Sequence, residues 1–172
     1  MADSSSDPNR NIKVAKEQEL RNWTNDKVIL ANQWIDEEST QIARKLVRGG
    51  IYMCELGKNI GNEQGELRPV VVISNNLINT SSGNVNIVPL SKTLKKKFVV
   101  KEDGTREFLD IPRMKSHYFL KKSKYSFLMY DSAAMAEVSR AVSKVRISTH
   151  LGDISDSDLN KIIARVKWVY DL

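Results

Sequence analysis

In this 172-residue sequence, Arg68 is the side chain best suited to chemistry. It closes the loop of Gly61-Asn-Glu-Gln-Gly-Glu-Leu-Arg-Pro-Val-Val-Val-Ile-Ser-Asn75 and stands directly before Pro69. Gly61 and Gly65 let that loop bend closely, and the proline stiffens the chain after it. An arginine presented this way suits a phosphate, because its planar fork donates to two oxygens at once and keeps its charge. Ser91, the last residue of Val85-Asn-Ile-Val-Pro-Leu-Ser91, offers a hydroxyl. The two fit attack by an RNA 2′-hydroxyl on its neighbouring phosphorus, with departure of the 5′-oxygen. A protein catalysing this step takes one proton, returns one and stabilises a phosphorane. Each residue also has an ordinary reading: Arg68 as a surface salt-bridge partner, Ser91 as a turn residue.

Other reactive types are scarce. The chain has only His117 and His150. His117, between Ser116 and Tyr118 on an alternating segment, reads either as a general base or RNA contact, or as a hydrogen-bonded histidine of the fold. His150 reads as a surface turn residue. Cys54 is the single cysteine, so no internal disulfide forms, and its strand-like setting predicts a small buried hydrophobe. No Cys/His cluster has zinc spacing, and neither a metal nor a cofactor is expected. A reducing cytoplasm suits this composition. No apolar run approaches the roughly 20 residues that span a bilayer, and the N-terminus lacks the basic and apolar regions of a signal peptide.

The net charge of +6 is uneven. Residues 1–48 carry 8 basic and 8 acidic side chains, whereas residues 92–124 carry 11 basic and 4 acidic. That second stretch, with Lys92, Lys95, Lys96 and Lys97 at its head, can attract a polyanion such as RNA. It equally describes a solvated lysine-rich loop. Phe98, Phe108, Tyr118 and Tyr125 interleave with the lysines and suit either stacking on unpaired bases or a small hydrophobic face.

The elements that position these residues are legible in the periodicity. Residues 1–12 read as a disordered tail and 13–48 as a helical extension. Leu20, Trp23, Leu30 and Trp34 share one helical face, and Ile35, Ile42, Leu46 and Val47 continue the pattern after a break near Asp36. Gly49-Gly50 stops the helix. A two-tryptophan stripe packs on its own domain, or else serves dimerisation or covers a functional groove. Ile51–Leu56, Val70–Ser74 and Val85–Leu90 read as strands. Lys95–Val100 and Arg106–Ile111 flank Glu102-Asp-Gly-Thr105, a hairpin signal inside an insert at 94–113. Tyr118–Leu120 and Ser126–Tyr130 are further strand candidates. Residues 131–147 look helical by propensity. Ser155 caps a final amphipathic helix whose apolar face is Leu159, Ile162, Ile163, Val166 and Val169, with Trp168 and Tyr170 packed against the domain.

The segment from Arg48 to about Thr93 resembles the MazF/PemK toxins of toxin–antitoxin systems, which are metal-independent, sequence-selective endoribonucleases. The resemblance rests on Arg48-Gly-Gly-Ile-Tyr, Glu63-Gln-Gly-Glu-Leu-Arg-Pro-Val70, the Ile73-Ser-Asn75 turn and the strand ending at Ser91. It continues more loosely through Ser116-His117, Ser126–Asp131, Arg140 and Leu151-Gly-Asp-Ile-Ser-Asp156, so that roughly 48–170 is covered. It implies that Arg68 is the catalytic arginine and Ser91 the catalytic hydroxyl. It implies too that Glu63 and Gln64 lie on a mobile loop closing over RNA, and that Asp131 lines the site from a strand end. For 131–147 it implies a strand and a turn instead of a helix. This sequence departs from the pattern at Gly50, where the family carries aspartate, and at Ser132, Ala133 and Ala134, where glutamine and arginine are usual. The long basic hairpin can substitute for that arginine.

The resulting expectation is an α+β protein: a small SH3-like β-barrel at 49–172 with a C-terminal helix and an N-terminal helical extension. Its expected function is that of a homodimeric toxin cutting single-stranded mRNA to 2′,3′-cyclic phosphate and 5′-hydroxyl ends, blocked by a cognate antitoxin. The alternatives are a non-enzymatic protein-binding toxin like the gyrase inhibitors of the same barrel family, and an RNA-binding module that does not cut.

Overall fold

A computed structural model describes residues 7–172; half of the expected disordered tail, residues 1–6, lies outside them, and residues 10–12 of that tail are helical instead. Helix α1 runs without a break from Arg10 to Ala43, starting earlier than expected and passing straight through Asp36. Strands β1 (Gly50–Glu55), β2 (Leu67–Val72) and β3 (Asn84–Ser91) come after it, with the short helix α2 (Asn76–Ser81) between the last two. Hairpin β4 (Lys96–Val100) and β5 (Arg106–Pro112) comes next, then β6 (His117–Leu120), β7 (Ser132–Met135), β8 (Arg140–Ser143), β9 (Ile147–Asp153) and helix α3 (Asp156–Val169).

Seven strands form one antiparallel sheet in the order β6-β7-β3-β2-β1-β9, with β8 sharing the β3 edge with β7. This is the small SH3-like architecture expected, with one difference: β6 and β9 remain the two ends of the sheet, so the barrel is not closed. Both faces are covered, which is why Val70, Val71 and Val72 are all fully buried. On one face Ile51, Val71, Val88 and Leu90 pack with Leu159 and Ile162 of α3. On the other, Tyr52, Cys54, Val70, Val72, Ile87 and Ile147 pack with Leu46, just beyond α1.

Helix α3 starts as expected, its Ser155 hydroxyl accepting from the Asp158 amide, but Trp168 (49 % exposed) and Tyr170 (57 % exposed) are only partly covered, meeting Lys115 and the Ser139 hydroxyl at the surface. Residues 131–147 are strands joined by single 3-10 turns. The pairing sites offered by β3 and β6 outweigh the helical propensity of the alanines. Ser126–Tyr130 is not a strand. It is a turn whose Tyr125 and Leu128 drop into the core, because burial there needs no ladder partner. His150 is likewise no turn residue; it sits on β9 with its ring 4.6 Å from that of Tyr52.

The inward side of α1 carries Leu20, Trp23, Leu30 and Trp34, as the periodicity predicts, whereas Ile35 is 72 % exposed and Val47 is exposed. The helix is fastened at its C-terminal end. The fully buried Lys144 donates from Nζ to the carbonyls of Ile42 (2.7 Å) and Arg44 (2.8 Å), which would otherwise be left without partners at a helix end. Trp34 covers Gly83 so closely that a Cβ there would overlap its ring. Gly83→Ala is therefore expected to destabilise the protein by about 1–3 kcal/mol, the usual cost of overpacking. Adding Trp34→Leu should return part of that loss. Urea unfolding of the two single variants and the double variant reads the coupling, and strict additivity would contradict the contact.

Candidate active site

The β1–β2 loop is built to return its chain close to itself. Leu56 donates its amide to the Glu66 carbonyl at 3.1 Å, and Glu66 donates to the Gly57 carbonyl at 2.6 Å. Gly65 passes so near that a Cβ would lie 2.5 Å from that same carbonyl oxygen, which accounts for glycine there. Glu66 makes the turn with a left-handed backbone, φ 66°, costly for a side chain of its kind. Two residues on, Arg68 enters β2 opposite Cys54. Its Nε donates to the Gly65 carbonyl at 2.6 Å and its Nη1 to the Gln64 side-chain oxygen. Nη2 has no hydrogen-bond partner among the described residues. The guanidinium is half-buried. Burial pulls its pKa below the ordinary value, against the opposing charge of Glu66.

Ser91 ends β3, the strand that flanks β2 on the side away from β1. The β2–β3 ladder ends at the Val70–Pro89 pair, and Arg68 and Ser91 each stand two residues beyond it on their own strands, at the same end of the sheet. The Ser91 hydroxyl oxygen accepts from the Thr93 amide at 3.1 Å, so its proton remains available to donate. Lys92, Lys95 and Lys97 come next as exposed residues, while Lys96 pairs with Asp110 at 3.1 Å. Glu63 is exposed on the loop and Gln64 is half-buried against Arg68.

Two other expected site residues lie elsewhere. His117 is on β6, three strands from β2 and 3 % exposed, with Nε2 2.7 Å from Glu137 and its carbonyl accepting from Arg165. Sealed there, it offers RNA no accessible atom and reads as the hydrogen-bonded histidine of the fold. Asp131 precedes β7, holding the Lys122 amide at 2.8 Å and Lys121 at 3.2 Å. The Lys122 amide leads in keeping its carboxyl below the ordinary value. Lys121 also reaches Asp110 on β5, so Asp131 helps tie the hairpin to the domain.

The interleaved aromatics divide. Tyr125 is buried in the core and Tyr118 donates to Asp158, whereas Phe98 and Phe108 stack edge-on at 5.9 Å on the exposed hairpin, with Arg106 over Phe98. Cys54 is fully buried and its thiol is pushed up to about 12, chiefly by burial, so it is inert at neutral pH.

Two residues unassigned by the sequence join Arg68 at the end of β1. Arg146 donates to the Glu55 carbonyl and Arg140 to the Leu56 carbonyl, each at 3.1 Å. The buried Arg140 Nε has no partner. Local sequence held no signal for these arginines, because only the pairing of β9 with β1 and of β8 with β3 brings them near. Gly50 also has its explanation: a Cβ there would lie 2.6 Å from the Tyr52 ring, whose hydroxyl accepts from the Val47 amide at 3.0 Å. A larger residue in that place would have to shift the Tyr52 ring from the position it holds here.

Comparison with known proteins bears on the fold and the family. The endoribonuclease MazF of Staphylococcus saprophyticus is 29 % identical over 115 residues, 67 % of this chain and 82 % of that protein. Among solved structures, MazF of Deinococcus radiodurans superposes with a TM-score of 0.58 at 15 % identity, over 75 % of this chain and 99 % of its own. A MazE–MazF structure from the same organism gives a TM-score of 0.54 at 14 % identity, over 75 % and 98 %. The sequence profile of the PemK-like, MazF-like toxins of type II toxin–antitoxin systems matches residues 47–170, a span that holds the whole sheet, the Arg68 loop and α3, and the chain belongs to that family.

Proposed function

We propose that this toxin is an endoribonuclease that cuts single-stranded mRNA at the Arg68–Ser91 site. The observation that supports the reading is a guanidinium held by its own loop through Nε and Nη1 with Nη2 uncommitted, at the same end of β2 and β3 as the Ser91 hydroxyl. In the reaction the RNA 2′-oxygen bonds to phosphorus, the bond to the 5′-oxygen breaks, and a 2′,3′-cyclic phosphate and a 5′-hydroxyl result. Arg68 donates to the non-bridging oxygens as their charge rises, and its partial burial strengthens that interaction. Ser91 donates to the scissile phosphate or holds the 2′-hydroxyl. Arg140 and Arg146 extend the positive charge along the end of β1, while Glu63, Lys92, Lys95 and Lys97 meet the flanking strand. The chemistry is read as metal-independent.

The proposed assembly is a homodimer, with a cognate antitoxin covering the Arg68 face, and the proposed setting is the cytoplasm. Among the described residues no helix is long and apolar enough to cross a membrane.

The test is to incubate the purified protein with a long single-stranded RNA in EDTA, beside Arg68→Ala. Discrete cuts carrying cyclic phosphate ends, absent in the variant, are the expected result and also reveal the recognition sequence. RNA bound but uncut would favour an inactive RNA-binding module. Toxicity that survives Arg68→Ala would favour a protein-binding toxin.

A further inference from the structure

Helix α1 lies before the segment that the toxin family shares, yet its inward face ends on the loop that presents Arg68. We propose that α1 is a built-in brace for this loop, and that Trp23 and Glu19 are positioning residues for Arg68. The Trp23 ring lies on Gly57: a Cβ there would fall 2.7 Å from its Cε2 and Cζ2. Gly57 also holds φ at +85°, so glycine is required twice over. One residue on, Lys58 joins the helix to the far end of the loop, with Nζ 3.0 Å from Glu19 and 2.9 Å from Glu66. Arg146 places its guanidinium 5.7 Å from the Trp23 ring centroid while donating to the Glu55 carbonyl. The helix thus touches the loop where the chain leaves β1 and, through Lys58, where it re-enters at β2.

The contacts matter because of what the loop stores. Glu66 sits in the left-handed region, and its amide is held by the Gly57 carbonyl beneath Trp23. Backbone of that kind persists only where its surroundings over-determine it. Arg68 takes its direction from the same few residues, through Gly65 and Gln64. The brace can resist because α1 is fixed at its other end by Lys144, by Trp34 on Gly83, and by Arg44, which donates to the Ile147 carbonyl at 2.6 Å. A continuous helix carries that anchorage about 30 Å from Ala43 to Trp23, at about 1.5 Å per residue.

The catalytic readout rests on the ribonuclease reading; the structural readout does not. Hydrogen exchange on the full chain should show the amides of 57–66 exchanging faster in Trp23→Ala, with the sheet amides unchanged. In single-turnover cleavage of saturating RNA, Trp23→Ala should cut the rate about tenfold, since small misplacements of a catalytic group are costly. Apparent affinity should move far less, and Trp23→Phe should restore most of the rate. Glu19→Lys, a change on the helix surface that leaves the fold intact, should reproduce the effect in smaller measure. Unaltered loop exchange in both Trp23→Ala and Glu19→Lys would overturn the brace, as would cleavage that is unchanged or faster. If Arg68→Ala cleaves like the parent, the ribonuclease reading fails, while the exchange result still decides whether α1 braces the loop.

Discussion

Arg68→Lys is expected to lose about 100-fold or more in cleavage rate, most of what Arg68→Ala loses, although the positive charge is retained. The reason is the division of labour within one guanidinium. Nε and Nη1 are committed to Gly65 and Gln64, which fix the plane of the group and leave Nη2 to face a ligand. Lysine has a single rotatable ammonium and cannot hold its own loop and a phosphate in the same geometry. Alanine removes the charge as well and should cost about 1,000-fold. Gln64→Ala separates the two tasks: it frees Nη1 without altering charge and should cost less than Arg68→Lys. The measurement is single-turnover cleavage of one RNA by all three variants, alongside their binding to a DNA oligonucleotide of the same sequence, which lacks the 2′-hydroxyl. A lysine variant within threefold of the parent would show that charge alone suffices and that the loop contacts to Arg68 are incidental.

What the sequence disclosed and what it hid divide along a physical line. Local signals held. Asp103-Gly104 gives the β4–β5 turn, with Gly104 at φ +81° and the Asp103 carboxylate accepting from Thr105. Ser155 gives the start of α3, and the Leu20–Trp34 stripe gives the packed side of α1. The Gly61–Pro69 string marks the Arg68 loop because its glycines answer local backbone demands. Non-local facts stayed hidden. Ala133 and Ala134 are strand residues only because β3 and β6 flank them. Arg140 and Arg146 reach the end of β1 only through strand pairing. His117 is sealed by Glu137 and Arg165, which lie 20 and 48 residues away. The bond between Lys58 and Glu19 links the family domain to a helix that lies before the matched segment.

Acidification from pH 4 to 2 should remove about 2 kcal/mol of stability through Asp158 alone. The carboxylate sits in the first turn of α3, with its side chain only 6 % exposed. Burial pushes its pKa up, but donation from Lys124 (2.8 Å), Tyr125 (2.6 Å) and Tyr118 (2.7 Å) outweighs burial and brings it down from 3.8 to about 2. The folded protein therefore keeps this group ionised at a pH where the unfolded chain already takes up a proton. The stabilisation is complete above the unfolded value and fades as the pH falls through the folded one. Asp158→Asn should flatten that part of the stability curve. At neutral pH it should cost about 2–4 kcal/mol, because Lys124 loses its countercharge and one of the two oxygens that accept from Tyr118, Tyr125 and Lys124 becomes a donor. Urea unfolding of parent and variant between pH 2 and 7 measures both effects. Parallel curves would mean that Asp158 is not the group titrating in that window. The network also fixes where α3 meets the sheet, since Tyr125 accepts from the Ser155 amide at 3.1 Å while donating to Asp158. The carboxylate thus adds to the core packing of Leu159 and Ile162 and the Arg165–His117 bond in holding α3, and losing it should loosen the start of α3 before it disturbs the β1–β2 loop.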